Sequence, residues 1–181
     1  MLVTVYLIIL LIIALVALFL AVTFLTSLFI TGVPFISSAK KDFRNAIKVA
    51  DLKSGELLCD LGCGRAHHLI YANKKVGAKC IGYELSLWPY LLAKLNIWLA
   101  KADVKVYYKN FFKADLSKVD VVYCYLFPEI MDKLEPKFKK ELKPGARVVS
   151  YGFRMQHVTP QKAVITHEDN VELGKIYLYK Y

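Results

Sequence analysis

The first 39 residues hold no Asp, Glu, Lys, Arg or His; the first charge is Lys40. All 25 basic and 15 acidic residues therefore lie from Lys40 onward, at an ordinary soluble density. No second long apolar run follows, which excludes a polytopic membrane protein. The four cysteines form no C-x-x-C pair, so neither a redox pair nor a paired-thiolate metal knuckle is written in the chain. The phosphate-binding pattern G-x-x-x-x-G-K-[ST] is missing, and G-x-G-x-x-G fails because His67 stands in its third glycine place. Internal repeats and low-complexity stretches are also lacking, and the composition excludes disorder, collagen and coiled coil.

What is present begins with residues 1–30, MLVTVYLIILLIIALVALFLAVTFLTSLFI, interrupted only by hydroxyl side chains. A bilayer core needs about 20 helical residues, so the run predicts one transmembrane helix over 1–31. A cleaved signal peptide would begin with basic residues and carry a shorter apolar core, so a retained anchor is expected. Lys40, Lys41, Arg44, Lys48 and Lys53 follow it, against Asp42 and Asp51. The positive-inside rule then places residues 32–181 on the cytoplasmic side of a single-pass protein. Cys59, Cys63, Cys80 and Cys124 in apolar, strand-like segments fit a reducing compartment. The net charge of +10 suits either nucleic acid or anionic lipid. Beside an anchor, lipid is the favoured partner and no nucleic acid is expected.

Beyond Gly32-Val-Pro34 the pattern alternates. A helix is predicted from about Ala39, capped by Ser37 or Ser38, with Phe43, Ile47 and Ala50 on one face. Strands are expected at 56–61, 79–83, 104–108, 119–125 and 146–151. Helices are expected at 68–76, 89–102 and 128–142. Strands alternating with helices imply right-handed crossovers and a parallel sheet. Two last strands, 162–166 and 175–181, with only a turn-rich stretch between, predict an antiparallel hairpin at one edge. The fold class is therefore α/β, Rossmann-like, with a seven-stranded, mostly parallel sheet behind one membrane helix.

Leu58-Cys-Asp-Leu-Gly-Cys-Gly-Arg-Ala66 joins the first predicted strand to the next helix. Gly62 and Gly64 let the backbone approach a ligand, and the helix start offers free N–H groups. Glu84 ends the second strand, where a carboxylate can accept both hydroxyls of a ribose. Together they predict a nucleoside-containing cofactor. Cys59, Cys63, His67 and His68 fit no metal-site spacing, and no metal is expected.

Asp60-Leu-Gly-Cys-Gly64 resembles the first motif of class I S-adenosylmethionine-dependent methyltransferases, and Leu142-Lys-Pro-Gly-Ala-Arg-Val-Val-Ser150 resembles their fifth-strand entry. Gly32-Val-Pro-Phe-Ile-Ser-Ser38, Gly82-Tyr-Glu-Leu85, Leu126-Phe-Pro-Glu-Ile-Met131 and Phe153 with His157-Val-Thr-Pro160 narrow the resemblance. They are similar to membrane-associated protein-lysine methyltransferases that modify the ATP synthase c subunit and related proteins, with their prokaryotic relatives. The resemblance implies S-adenosyl-L-methionine as cofactor, with Asp60, Gly62, Gly64, Glu84, Leu85, Asn110, Phe111 and Ser38 as its contacts. It places Tyr125, Pro128 and Glu129 at the acceptor mouth, with Glu129 attracting or deprotonating an amine. Capping explains Glu129 equally well, and core packing is the competing but less favoured reading of Tyr125. His157 is either a further mouth residue or a plain loop histidine.

The expected acceptor is a lysine of a membrane or membrane-proximal protein. The alternatives are a lipid, quinone or other small amphiphile as acceptor, or a tethered module of weak activity. The last is motivated by Arg65, Ala66 and Asn110, which depart from the family pattern. An alanine at position 66 is costly if the turn demands positive φ. Tyr125-Leu-Phe-Pro128 also lacks the Asn/Asp-Pro-Pro-aromatic pattern of nucleic-acid amino methyltransferases.

Overall fold

The computed structural model describes residues 2–31, 40–166 and 174–181. The chain divides into two compact units, Met1–Phe35 and Ile36–Tyr181. The first contains α1 (Leu2–Thr31), about 45 Å long at 1.5 Å per residue. Its stretch Leu2–Val22 has mean hydropathy 3.3 and none of it is buried within the protein. By length and composition this helix is able to cross a bilayer.

The second unit contains α2 (Lys40–Val49), β1 (Leu57–Leu61), α3 (His67–Val76), β2 (Lys79–Glu84), α4 (Leu87–Ala100) and β3 (Val104–Tyr108). A 3₁₀ turn (Phe111–Lys113), β4 (Val121–Cys124), α5 (Pro128–Glu141), β5 (Arg147–Tyr151), β6 (Lys162–Ile165) and β7 (Lys175–Lys180) complete it. The sheet order is β3-β2-β1-β4-β5-β7-β6. The first five strands are parallel, and β7 runs antiparallel to both β5 and β6. The predicted α/β sheet with an antiparallel edge is the observed one. The residues joining its last two strands lie outside the described part, as do Ser37 and Ser38.

Strand alternation splits the core in two. Leu58, Cys80, Val104, Val106, Val121, Tyr123, Val149 and Ile176 face α2, α3 and α4. Cys59, Leu61, Val122, Cys124 and Val148 face α5 through Met131, Leu134 and Phe138. Cys59 and Cys63, four residues apart, thus belong to opposite faces.

Local chemistry sets the boundaries. α4 starts two residues ahead of Pro89, because the first turn of a helix has no N–H bonds for proline to remove. Between β3 and β4 stands only the 3₁₀ turn, and Asn110 Oδ1 accepts from Phe112 N at 2.9 Å to cap it. Arg147 ties α2 to the sheet. Its Nη1 donates to Ala50 O at 2.7 Å and to Asp51 O at 2.9 Å, and its Nη2 pairs with Glu56. Carbonyls past a helix C-terminus otherwise lack partners. This clamp holds the helix that carries Asp42.

Candidate active site

The sheet order reverses between β1 and β4, and in open α/β sheets ligands bind outside the carboxyl ends of strands at such a point. β1 ends at Leu61 and turns through Gly62 (φ +86°), Gly64 (φ +53°) and Ala66 (φ +60°). Gly62 N and Cys63 N donate to Tyr83 O at 2.9 and 3.0 Å, folding the bend over β2. Ala66 is fully buried in the left-handed region and begins α3. An alanine there carries about 1–2 kcal/mol of strain that glycine would not. Burial of its methyl offsets much of that.

Glu84 is 8% exposed and holds the bend directly. Its Oε2 accepts from Gly64 N at 2.9 Å and its Oε1 from Ser86 N at 2.7 Å. An ionised carboxylate offers about four lone-pair sites, so acceptor capacity remains for hydroxyls. Asp60 lies in register with Gly82 of β2 and Tyr123 of β4. It is 3% exposed, and burial, with the charge of Glu84, pushes its carboxyl up to about 8. Gly82 is needed for space. A Cβ there would meet Leu69 Cδ1 at 2.6 Å, Cys63 Sγ at 2.7 Å and Cys63 Cβ at 2.8 Å.

Period-two alternation puts Asp60, Gly82, Glu84 and Tyr123 on the face covered by α2 and α3. Two residues past Tyr123, Tyr125 continues that face and packs on the same core. The rings of Tyr125 and Tyr151 are 5.2 Å apart, those of Tyr125 and Phe153 6.2 Å, and those of Phe127 and Phe153 5.4 Å. Ser150 Oγ donates to Phe153 O at 2.6 Å and fixes the bend that presents Phe153.

Asp42, a 4%-exposed acid, accepts a hydrogen bond from the Tyr151 hydroxyl. Burial, with the charge of Asp42, raises the phenol of Tyr125; burial and the Asp42 hydrogen bond raise that of Tyr151. α2 is seated by Phe43, whose ring stacks on His68 at 4.4 Å and meets Tyr123 edge-on at 5.0 Å. Asp42 and Tyr151 have no counterpart among the residues singled out from sequence. The available signal was an acid four residues before the buried Ala46, on the helix face meant for the core.

The remaining expected residues fall as follows. Pro128 opens α5, and Glu129 stands exposed in its first turn, where the helix dipole favours a carboxylate. No hydrogen bond holds its side chain among the described residues. Leu85 is half-buried between β2 and α4. Asn110 spends its side-chain oxygen on the turn, leaving Nδ2 to donate toward a ligand. Phe111 is half-buried against Phe112, with ring centroids 4.9 Å apart. His157 is exposed, beside a segment tied to α5 by Gln156 N and Asp132 Oδ1 at 3.2 Å. Ser38 lies outside the described residues.

The donors and acceptors suit S-adenosylmethionine, which is cationic at its amino-acid end and carries ribose hydroxyls. Two buried acids, Asp60 and Glu84, flank an open glycine bend at adjacent strand ends, and at Gly62 even a Cβ would meet nothing nearer than Leu126 at 3.6 Å. The fold and the strand-end acids define a class I S-adenosylmethionine-dependent methyltransferase.

A family model described as the ANTKMT methyltransferase domain matches residues 60–162, and the chain belongs to that family. It is 32% identical over 154 residues to a protein-lysine N-methyltransferase of Saccharolobus islandicus, covering 83% of this chain and 95% of the relative. It is 31% identical over 130 residues to the human lysine N-methyltransferase of the ATP synthase c subunit, covering 71% of this chain and 55% of that protein. The chain thus spans a little over half of the human relative. Among solved structures, an RNA methyltransferase from Salinibacter ruber bound to S-adenosyl-L-homocysteine superposes with a TM-score of 0.74 at 28% identity. That match covers 80% of this chain and 93% of the other.

Proposed function

We propose that the protein is a membrane-anchored protein-lysine N-methyltransferase acting on a membrane or membrane-proximal protein. The observation that carries the lysine reading is the buried Asp42, hydrogen-bonded by the Tyr151 hydroxyl and near enough to act on Tyr125 in the aromatic cluster of Tyr125, Tyr151 and Phe153. A buried acid beside aromatic rings offers an ammonium group both an oxygen acceptor and π surface. The archaeal and human relatives are named for lysine methylation, which supports the same acceptor.

Bound S-adenosylmethionine supplies an electrophilic methyl group on a sulfonium. The chain supplies position and dryness. Asp60 and Glu84 would hold the cationic and hydroxyl-bearing ends of the cofactor, and Asn110 and Phe111 would hold its base. Tyr125, Phe127, Tyr151 and Phe153 guide the lysine side chain and exclude water. Asp42 attracts the incoming ammonium, while desolvation by the rings favours the neutral amine. Glu129, at the rim, takes the departing proton or passes it to water. With the cofactor bound, the chemistry it would supply is displacement at its methyl carbon, the amine nitrogen gaining a bond to carbon as the carbon–sulfur bond breaks.

α1 is read as the anchor, and the basic residues after it support a cytoplasmic orientation of the domain by the positive-inside rule. Tethering raises the effective concentration of acceptors at the same bilayer. The test is incubation of the purified full chain with methyl-labelled S-adenosylmethionine and host membranes. Label on lysine of a protein band is expected. Label confined to the lipid extract, or to added RNA, overturns the acceptor. No label at all, from a chain that binds the cofactor, supports the weak tethered module instead.

A further inference from the structure

α4 buries the side that its sequence makes small and exposes the side that it makes large. Ala93 is fully buried and Ile97 packs on the core. Leu91, Leu95, Trp98 and Leu99 are 45%, 47%, 73% and 63% exposed, and Leu87 and Leu92 are each 38% exposed. These six form one stripe covering roughly 140° of the helix circumference, at about 3.6 residues per turn. Nothing in the methyltransferase site uses them. Contiguous apolar surface of this kind marks an interaction face.

Charge decides the occupant. Lys94 is the helix's one charged residue, and with Lys101 just past the helix end it lines one groove beside Trp98 and Leu99. Two copies packed through this stripe about a twofold axis would set each lysine border near its own kind. Anionic headgroups neutralise the same lysines while the acyl boundary takes the leucines. Both tryptophans of the chain, Trp88 and Trp98, lie on this helix, and tryptophan favours the membrane interface. We propose that α4 lies in the plane of an anionic bilayer with the Leu91–Leu95–Trp98–Leu99 stripe inserted at the headgroup boundary, as a second membrane contact besides α1. The proposal rests on the membrane reading of the chain and not on the identity of the methyl acceptor.

The test uses the full chain with Trp88→Phe, so that Trp98 is the sole indole. It is reconstituted in vesicles of phosphatidylcholine and phosphatidylglycerol, with or without bromine on the acyl chains. Expected are co-flotation, blue-shifted emission and at least about twofold quenching of Trp98 by the brominated lipid. Adding Leu95→Glu and Leu99→Glu should abolish the quenching while leaving co-flotation and cofactor binding at parental levels. Equal Trp98 emission in both vesicle types, from a chain that co-floats, overturns this proposal and leaves the anchor standing. Shielding of Trp98 with chemical cross-linking to a second copy overturns it equally. A chain that fails to co-float contradicts both membrane readings.

Discussion

The backbone amide of Gly64 donates to Glu84 Oε2 at 2.9 Å, so the bend after β1 and the acid ending β2 meet at one hydrogen bond. The other oxygen of Glu84 accepts from Ser86 N at 2.7 Å, fixing the entry to α4. Glu84→Gln turns an NH2 toward one of these two donors. A buried donor left unpaired costs about 1–3 kcal/mol. Thermal unfolding of the cofactor-free protein should shift down by several degrees, as a circular dichroism melt would record. An unchanged melting curve would mean that the bend is held by something else.

Asp60 predicts the direction of the pH response. Its carboxyl is raised from about 3.8 to about 8 by burial and by Glu84. The folded state therefore keeps a proton that the unfolded chain releases across that interval. Stability of the cofactor-free protein should fall as pH rises from about 4 to about 8 and level off above. A cationic ligand prefers the ionised acid, so cofactor affinity should rise over the same interval, by at most about tenfold per pH unit. Denaturant melts and calorimetric titrations from pH 5.5 to 7 measure the two trends. Asp60→Asn should flatten the first and weaken binding throughout.

Gly82→Ala tests packing beneath the bend. The added methyl would lie 2.6 Å from Leu69 Cδ1 and 2.8 Å from Cys63 Cβ, so the bend must shift. Overpacking of this kind costs about 1–3 kcal/mol. Lower thermal stability and weaker cofactor binding are expected together. Gly145, where a Cβ meets nothing within 4 Å but φ is +85°, is the contrast: Gly145→Ala should lower stability and spare binding.

Tyr151→Phe removes the hydroxyl that donates to Asp42 while keeping the ring. If the pair captures an ammonium, KM for the lysine acceptor should rise at least about tenfold, with cofactor affinity unchanged. Asp42→Asn should act in the same direction and more strongly. Steady-state kinetics against acceptor, with calorimetry for the cofactor, separates this from general unfolding. A parallel loss of cofactor binding would remove the pair from the acceptor side.

Much of this was legible from local pattern. The strand–helix alternation specified the parallel sheet, and the glycine bend and Glu84 singled out from the sequence meet at one hydrogen bond. Both depend on residues close in sequence or on strand ends that the topology forces together. The Asp42–Tyr151 pair was not legible, because it joins the first helix of the domain to the fifth strand and only tertiary packing brings them together. Gly82 was singled out only as part of Gly82-Tyr-Glu-Leu85; its steric necessity comes from Leu69 and Cys63 packing over it. The outward face of α4 was also hidden. A periodic leucine stripe reads as a core face, but the residue fully buried on this helix, which packs on β2 and β3, is Ala93.

The central claim is that the bend at Asp60–Ala66 and Glu84 form one S-adenosylmethionine pocket. Calorimetric titration of the full chain with S-adenosylmethionine, beside Glu84→Ala, tests it most directly. The account predicts one saturable site in the wild type and a loss of at least about a hundredfold in the variant, with both proteins folded. Equal binding by the two, or no binding by the folded wild type, would contradict it.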